Sequence, residues 1–125
     1  MNGCWIDDVR PYIANAAVFI APLRAGSGTK IKVLNAMAQS KAVVTTSVGA
    51  EGIDATRGEE IVVADAPAEF ADETVFLLQN PDLVQSIGAK ARQLIEEKYD
   101  WRIIERDIHE LYKKLSPNYL QFAFL

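Results

Sequence analysis

The segment RAGSGTK, residues 24–30, brings together the residue types that bind phosphate groups. Two glycines would let a ligand approach the backbone, two hydroxyl side chains could donate hydrogen bonds, and two cations could neutralise negative charge. These residues are Gly26, Gly28, Ser27, Thr29, Arg24 and Lys30. A diphosphate would suit this set of donors.

The residues around this segment predict that it joins a strand to a helix. Residues 17–23, AVFIAPL, form an apolar run closed by a proline, which predicts a strand buried on both faces of a parallel sheet. From Thr29 onwards the spacing predicts a helix with Ile31, Leu34, Met37 and Ala38 on its buried face and with Lys32, Asn35 and Gln39 on another. Residues 42–46 and 61–64 are the second and third strands. The fold class is therefore α/β, with a parallel sheet of about three strands and flanking helices.

A glycine-rich turn at the carboxyl end of a parallel strand has a physical role when it runs into a helix. It directs free backbone N–H groups and the positive end of the helix dipole at one point, which favours an anion. The spacing matches neither the dinucleotide fingerprint nor a P-loop. The pattern leaves a second interpretation open, in which the glycines only permit a tight connection and Ser27 caps the helix.

The other predicted elements are helices. One covers residues 8–16 with Asp7 or Asp8 as its cap, and two cover residues 67–78 and 81–97 with Asp65 and Asn80 as caps. The buried face of the helix over 67–78 is predicted to carry Phe70, Thr74, Val75 and Leu78. Asp100 is predicted to cap the last helix, whose inner face carries Trp101, Ile104, Ile108, Leu111, Tyr112 and Leu115.

Composition excludes several classes of protein. The 125 residues suffice for one domain, and 24% charged residues with 50% hydrophobic residues are typical of a globular chain. With a net charge of -4 and no basic stripe, we expect no nucleic-acid partner. Cys4 is the single cysteine and no apolar run has the length of a membrane span, so we expect a cytoplasmic chain without a transmembrane segment. His109 has no second ligand at metal-binding spacing, so no metal is expected.

Residues 22–53, PLRAGSGTKIKVLNAMAQSKAVVTTSVGAEGI, resemble the donor-site segment of the C-terminal domain of GT-B-fold glycosyltransferases of the group 1 type, family 4. The resemblance extends to the flanking segments DDVRPYIANAAVFIAPL and YDWRIIERDIHELYKKL. It implies a partial Rossmann-like sheet, the second half of that domain. It also implies a nucleotide-diphosphate sugar as donor substrate, retention of the anomeric configuration, and no metal or other cofactor.

The resemblance assigns residues to the donor. The diphosphate and sugar fall on Gly26, Ser27, Gly28, Thr29 and Lys30, and the position of a ribose-binding glutamate falls on Asn35. Glu51, after the second strand, could contact sugar hydroxyls, although a role in closing its loop is the alternative. Asn35 is neutral, which would weaken ribose binding. Ser27 stands at the family's other acidic position, and Ser40 and Ala42 replace a usual glycine and proline.

The resemblance bears on organisation as well. Residues 1–115 are expected to form the partial nucleotide-sugar-binding domain and residues 116–125 an apolar C-terminal tail. Full enzymes of this type also have an N-terminal acceptor domain, so we expect this chain to be inactive alone. We also expect a homodimer, in which AVFIAPL or the tail covers exposed apolar surface.

The sequence leaves two alternatives open. The chain could be a non-catalytic α/β interaction module, or a remnant, that has lost donor binding. A small flavodoxin-like phosphate-binding domain would explain the glycine turn, but not the Ala-Met-Ala and Gly-Ala-Glu-Gly segments.

Overall fold

A computed structural model describes residues 7–115, and it arranges them as three parallel strands with helices on both sides. Along the chain, these residues form α1 (Arg10–Asn15), β1 (Val18–Ala21), α2 (Ile31–Ala38), β2 (Ala42–Thr45), α3 (Ser47–Ala50), β3 (Val62–Val63), α4 (Pro67–Leu78), α5 (Pro81–Lys98) and α6 (Trp101–Leu115). The predicted α/β class and the strand, helix, strand order are confirmed. The expected tail, residues 116–125, lies outside the described residues.

The sheet has the order β1-β2-β3, with β2 in the centre. Val18 of β1 is in register with Ala42 of β2, and Val44 of β2 is in register with Val62 of β3. Every residue of β2 is buried, as an apolar parallel strand covered on both faces requires. The parallel arrangement places the carboxyl ends of all three strands at one edge.

Side chains that alternate along the strands divide the core into two layers. On one face, Val43 packs with Val33 and Met37 of α2 and with Leu94 of α5. On the other face, the core cluster consists of Ala42, Val44, Val62, Leu77 and Ile87. The helix α5 contributes to both layers. Burial of each of these larger aliphatic side chains contributes about 1.5–3 kcal/mol.

The prediction that the first strand is buried on both faces is wrong. β1 lies at the edge of the sheet, and Ile20 is 51% exposed. Ala21, which points to the opposite face, is buried in the layer that contains α2. An apolar run cannot distinguish an edge strand from a central one, because that distinction depends on what packs beside it.

The predicted buried face of α2 is only partly confirmed: Met37 is buried, and Leu34 and Ala38 are half-buried. The buried residues of this helix are Val33, Ala36 and Met37, whereas Ile31 is 71% exposed. Two apolar stripes overlap in IKVLNAMA, and the small Ala36 allows the second stripe to approach the sheet closely. Similarly, Leu77 is the buried residue of α4, while Val75 and Leu78 are exposed.

Helix bounds were predicted more accurately than caps. The bounds of α4 agree with the prediction, and α5 ends one residue later than predicted. Asp65 does not cap α4, whose N-cap residue is Ala66. Asn80 is the N-cap residue of α5, but its side chain donates to the carbonyl oxygen of Phe76 instead of capping. α1 begins at Arg10 rather than at residue 8, with Val9 as its N-cap residue.

The last helix begins where it was predicted to begin. An Asp100 Oδ1 accepts a hydrogen bond from the backbone N–H of Arg102 at 2.9 Å, as a capping carboxylate does. The predicted inner face, however, is not buried: no residue of α6 is buried among the described residues, and Trp101 is 79% exposed.

Candidate functional site

Three connections meet at the carboxyl edge of the sheet. The glycine-rich turn follows β1, α3 follows β2 directly, and Asp65 follows β3. Ligands of open parallel sheets bind at this edge, because loops and helix N-termini converge there.

The glycine turn needs its two glycines for conformational reasons. Gly26 has φ +130° and Gly28 has φ +77°, in the region that residues with a Cβ rarely adopt. A Cβ at Gly28 would have no neighbour within 4 Å, so the turn is open to solvent at that point. Residues 24–29 are exposed. The turn therefore presents accessible backbone groups just before α2.

Lys30 holds this turn from the helix side. It is the N-cap residue of α2, and its Nζ donates a hydrogen bond to the carbonyl oxygen of Gly28 at 2.6 Å. The alternative in which Ser27 caps the helix is wrong, because α2 has no side-chain cap. The N-terminus of α2 and a lysine ammonium group thus lie together at the turn, and both attract anions.

The connection after β2 packs against the same turn. Gly52 has φ +78°, and a Cβ on it would lie 2.4 Å from the Thr29 Oγ1. Tyr99 also fixes this connection, because its hydroxyl accepts a hydrogen bond from the backbone N–H of Asp54 at 2.9 Å. The close contact at Gly52 therefore couples the position of Thr29 to this second connection.

The last residue of β2 and the threonine after it bond to the end of β1 and to the turn that follows it. The Thr45 hydroxyl donates to the carbonyl oxygen of Ala21 at 2.9 Å. The Thr46 hydroxyl donates to the carbonyl oxygen of Leu23 and accepts from the backbone N–H of Gly49 at 3.2 Å, which caps α3. α3 was not predicted from the sequence, because four residues give no periodicity to detect.

The other two predicted donor residues, Asn35 and Glu51, lie outside the glycine turn. Asn35 is exposed in the second turn of α2. Glu51 is the exposed C-cap residue of α3 and immediately precedes Gly52, which contacts Thr29. Both side chains are exposed and therefore accessible to a ligand.

A cavity of about 170 Å³ lies beside the turn at the same edge. Its lining consists of Pro22, Arg24, Thr46, Asp65, Pro67 and Phe70. A shallower opening adjoins it and extends along Leu23 and Val48. Arg24 belongs both to this cavity and to the phosphate-binding pattern of the sequence.

Asp65 gives the cavity a negative charge. Its two carboxylate oxygens accept hydrogen bonds from the Ser47 backbone N–H at 2.8 Å and from the Ser47 Oγ at 2.6 Å. The Ser47 hydroxyl, and then its N–H, hold the pKa of Asp65 below its usual value. The cavity therefore combines one cation, one anion and the apolar walls of Phe70 and the two prolines.

Sequence reasoning missed Thr46 and Phe70 as lining residues and assigned Asp65 to a helix cap. The signal that could have found Thr46 and Asp65 is their position, because Thr46 is the last residue of one predicted strand and Asp65 directly follows another. No comparable signal marks Phe70, which reaches the cavity from α4.

Within the described part of the chain, no group of three or more His, Cys, Asp or Glu residues could hold a metal ion. In the same part, every helix is too short or too polar to cross a bilayer.

Comparison with known families identifies the class of protein. Residues 2–80 match the family described as glycosyl transferases group 1, which is more than half of the chain. The chain belongs to the group 1 glycosyltransferases.

A relative from Klebsiella pneumoniae is described as an uncharacterized 44.6 kDa protein in the cps region. It is 36% identical over 83 residues, which are 66% of this chain and 21% of that protein. This chain thus matches about a fifth of the length of its curated relative.

Proposed function

We propose that this chain is the donor-binding portion of a group 1 glycosyltransferase, and that residues 26–30 bind the diphosphate of a nucleotide sugar. The observation that carries the proposal is the pair of positive-φ glycines in an exposed turn that leads into α2, with the Lys30 ammonium beside it. This combination suits an anion better than a neutral ligand.

The same residues would assist the chemistry of a retaining transfer. Negative charge develops on the departing diphosphate as the bond from the sugar breaks, and fixed donors at that position stabilise it. Lys30, Arg24 and the N-terminus of α2 supply positive charge without a metal ion. The Lys30 ammonium would exchange its hydrogen bond to the Gly28 carbonyl for one to a phosphate oxygen.

We assign the rest of the donor to the residues around the turn. Asn35 would hydrogen-bond the ribose, more weakly than a glutamate does because it offers one acceptor oxygen instead of two. Glu51 would accept hydrogen bonds from sugar hydroxyls. The cavity beside Arg24 could hold the remainder of a ring, since Phe70 and the prolines offer apolar walls and Asp65 an acceptor.

An amide NMR titration of the chain with UDP, GDP and a nucleotide sugar tests the proposal. Saturable shifts centred on residues 26–35 are expected, and the preferred nucleotide indicates the donor class. Lys30→Gln should weaken binding about tenfold, because a hydrogen bond to a charged group contributes about 1.5 kcal/mol or more. Lys90→Gln, at an exposed site of α5, is the matched control and should leave the affinity unchanged.

A well-dispersed spectrum that ignores all three ligands at millimolar concentration would contradict donor binding. It would favour the second candidate, an α/β interaction module. The specific observation behind that candidate is the exposed apolar side of α6.

A further inference from the structure

The helix α6 carries a regular apolar stripe that the described part of the chain leaves uncovered. Its members recur at intervals of three and four residues and are Trp101, Ile104, Ile108, Leu111 and Leu115. Trp101 is 79%, Ile108 45%, Leu111 54% and Leu115 72% exposed, and Ile104 is half-buried. This spacing is the heptad pattern of a helix that packs along a second helix.

We propose that α6 pairs with α6 of a second copy of this chain, in antiparallel orientation. An arrangement centred between residues 109 and 110 places Ile108 against Leu111 of the other copy, and Ile104 against Leu115, each contact occurring twice by symmetry. These four layers cover every member of the apolar stripe except Trp101 on both copies.

Charges beside the stripe favour this orientation. Asp107 lies on one flank of the stripe and Lys114 lies one heptad later on the same flank. In the antiparallel pair these flanks face each other, so Asp107 of each copy meets Lys114 of the other. Asp107 already forms an ion pair with its neighbour Arg106. Both side chains are 65% exposed, so this pair contributes little stability and losing it costs little when Asp107 pairs with Lys114.

The parallel alternative is disfavoured by the same residues. In a parallel pair each position g faces position e of the next heptad on the other helix. Asp107 of each copy would then face the uncharged Tyr112 of the other, so the pairing of Asp107 with Lys114 would be lost. The charge pattern therefore favours the antiparallel orientation over the parallel one.

Analytical ultracentrifugation of the full 125-residue chain over a wide concentration range tests the proposal. A monomer–dimer equilibrium is expected. Leu111→Gln, at a largely exposed helical site, should raise the dimer dissociation constant by about tenfold or more, because the change removes apolar contact from both copies. Lys113→Gln, on the opposite side of the helix, is the control and should leave the dissociation constant within about twofold.

A charge exchange tests the orientation separately. Lys114→Glu should weaken the dimer by placing like charges together, and the double variant Asp107→Lys, Lys114→Glu should restore it. A chain that stays monomeric at every concentration overturns the proposal and points to another protein or domain as the partner of α6. A dimer that is insensitive to Leu111→Gln, or a double variant that fails to restore association, also overturns it.

Discussion

Ser40 has a backbone conformation that glycine adopts more readily. Its φ is +60°, and it is the non-glycine residue with positive φ among the described residues. The Ser40 N–H bonds to the carbonyl of Met37 and the Lys41 N–H to that of Ala36, which is the Schellman end of a helix. The position where the family resemblance expects a glycine thus has a conformational reason for one.

Ser40→Gly is therefore expected to stabilise the chain by about 1 kcal/mol, because it removes the steric cost of the left-handed conformation. Chemical denaturation measures the free energy of unfolding. Ser86→Gly, the same change at an exposed site within α5, should instead lower that free energy by about 0.5 kcal/mol, since glycine is a poor helix former. Equal effects at the two sites would contradict the conformational argument.

Asp100 is the residue with the clearest pH dependence. Hydrogen bonds from the Arg102 side chain, and then from its backbone N–H, lower the pKa of Asp100 from 3.8 to about 2. Because the pKa of Asp100 is lowered in the folded chain, its ionised carboxylate stabilises the fold. This stabilisation is present above pH 3.8 and is lost as the pH falls towards about 2.

Carboxyl NMR titration of the chain should give a midpoint near 2 for Asp100. Arg102→Gln should move the pKa of Asp100 upwards, because the first and largest cause of the shift is removed. A midpoint that is unchanged in this variant would mean that the contact with Arg102 does not persist in solution.

At the scale of elements, a glycine allows α5 to pack closely against the turn between α2 and β2. A Cβ at Gly88 would lie 2.1 Å from the carbonyl oxygen of Ser40 and 2.8 Å from its carbonyl carbon. Both are backbone atoms, so the helix itself would have to move. The close approach allows α5 to reach Ala42 and the core behind it.

Gly88→Ala should lower the free energy of unfolding by about 1–3 kcal/mol through overpacking, although alanine is the better helix former. Thermal or chemical denaturation provides the measurement. Ser86→Ala, two residues earlier on the exposed side, should be neutral or slightly stabilising. If Gly88→Ala stabilised the chain as an ordinary helical site does, α5 would not be packed as described.

Another pair of glycines tests whether the connection after β2 positions the glycine turn. Gly52 and Gly58 both have positive φ, of +78° and +84°. An alanine at Gly52 would collide with Thr29, whereas one at Gly58 has no neighbour within 4 Å. Both substitutions share the conformational strain, but only one of them disturbs the glycine turn.

Gly52→Ala is thus expected to shift the amide resonances of residues 26–30 and to weaken nucleotide binding several-fold. Gly58→Ala should cost about 1–2 kcal/mol of stability without either effect. The titration described above measures both variants. Equal nucleotide affinities for the two variants would show that contact with Thr29 does not position the binding turn.

At the scale of the whole molecule, three connections of the chain meet at one edge of the sheet, where we propose that the donor binds. A glycosyl transfer also needs an acceptor held against the donor, and such positioning supplies a large part of the rate. The 83 matched residues cover 21% of the length of the Klebsiella relative. We therefore expect donor binding by this chain without appreciable transfer.

A coupled assay for nucleoside diphosphate release, run with a nucleotide sugar and candidate acceptors, should give no turnover above background for the chain alone. Its control is the same preparation in the NMR titration, which establishes that the donor is bound. Turnover at the rate of an ordinary transferase would contradict the expectation.

Local sequence was sufficient for the order of the elements other than α3. Proline and aspartate residues before apolar-periodic segments marked where α4, α5 and α6 begin, because capping and proline geometry act within a few residues. The same locality made the glycine turn recognisable as a candidate anion site, since positive φ at Gly26 and Gly28 depends mainly on residue type.

Only the tertiary structure decided which apolar stripe of α2 is buried, that β1 lies at an edge, and that Asp65 bonds Ser47 instead of capping α4. Each of these outcomes depends on residues distant in sequence. Thr46 and Phe70 join one cavity for the same reason, since Thr46 follows β2 and Phe70 belongs to α4. Periodicity specifies a helix or a strand, but its partner is selected by the fit of surfaces across the whole sheet.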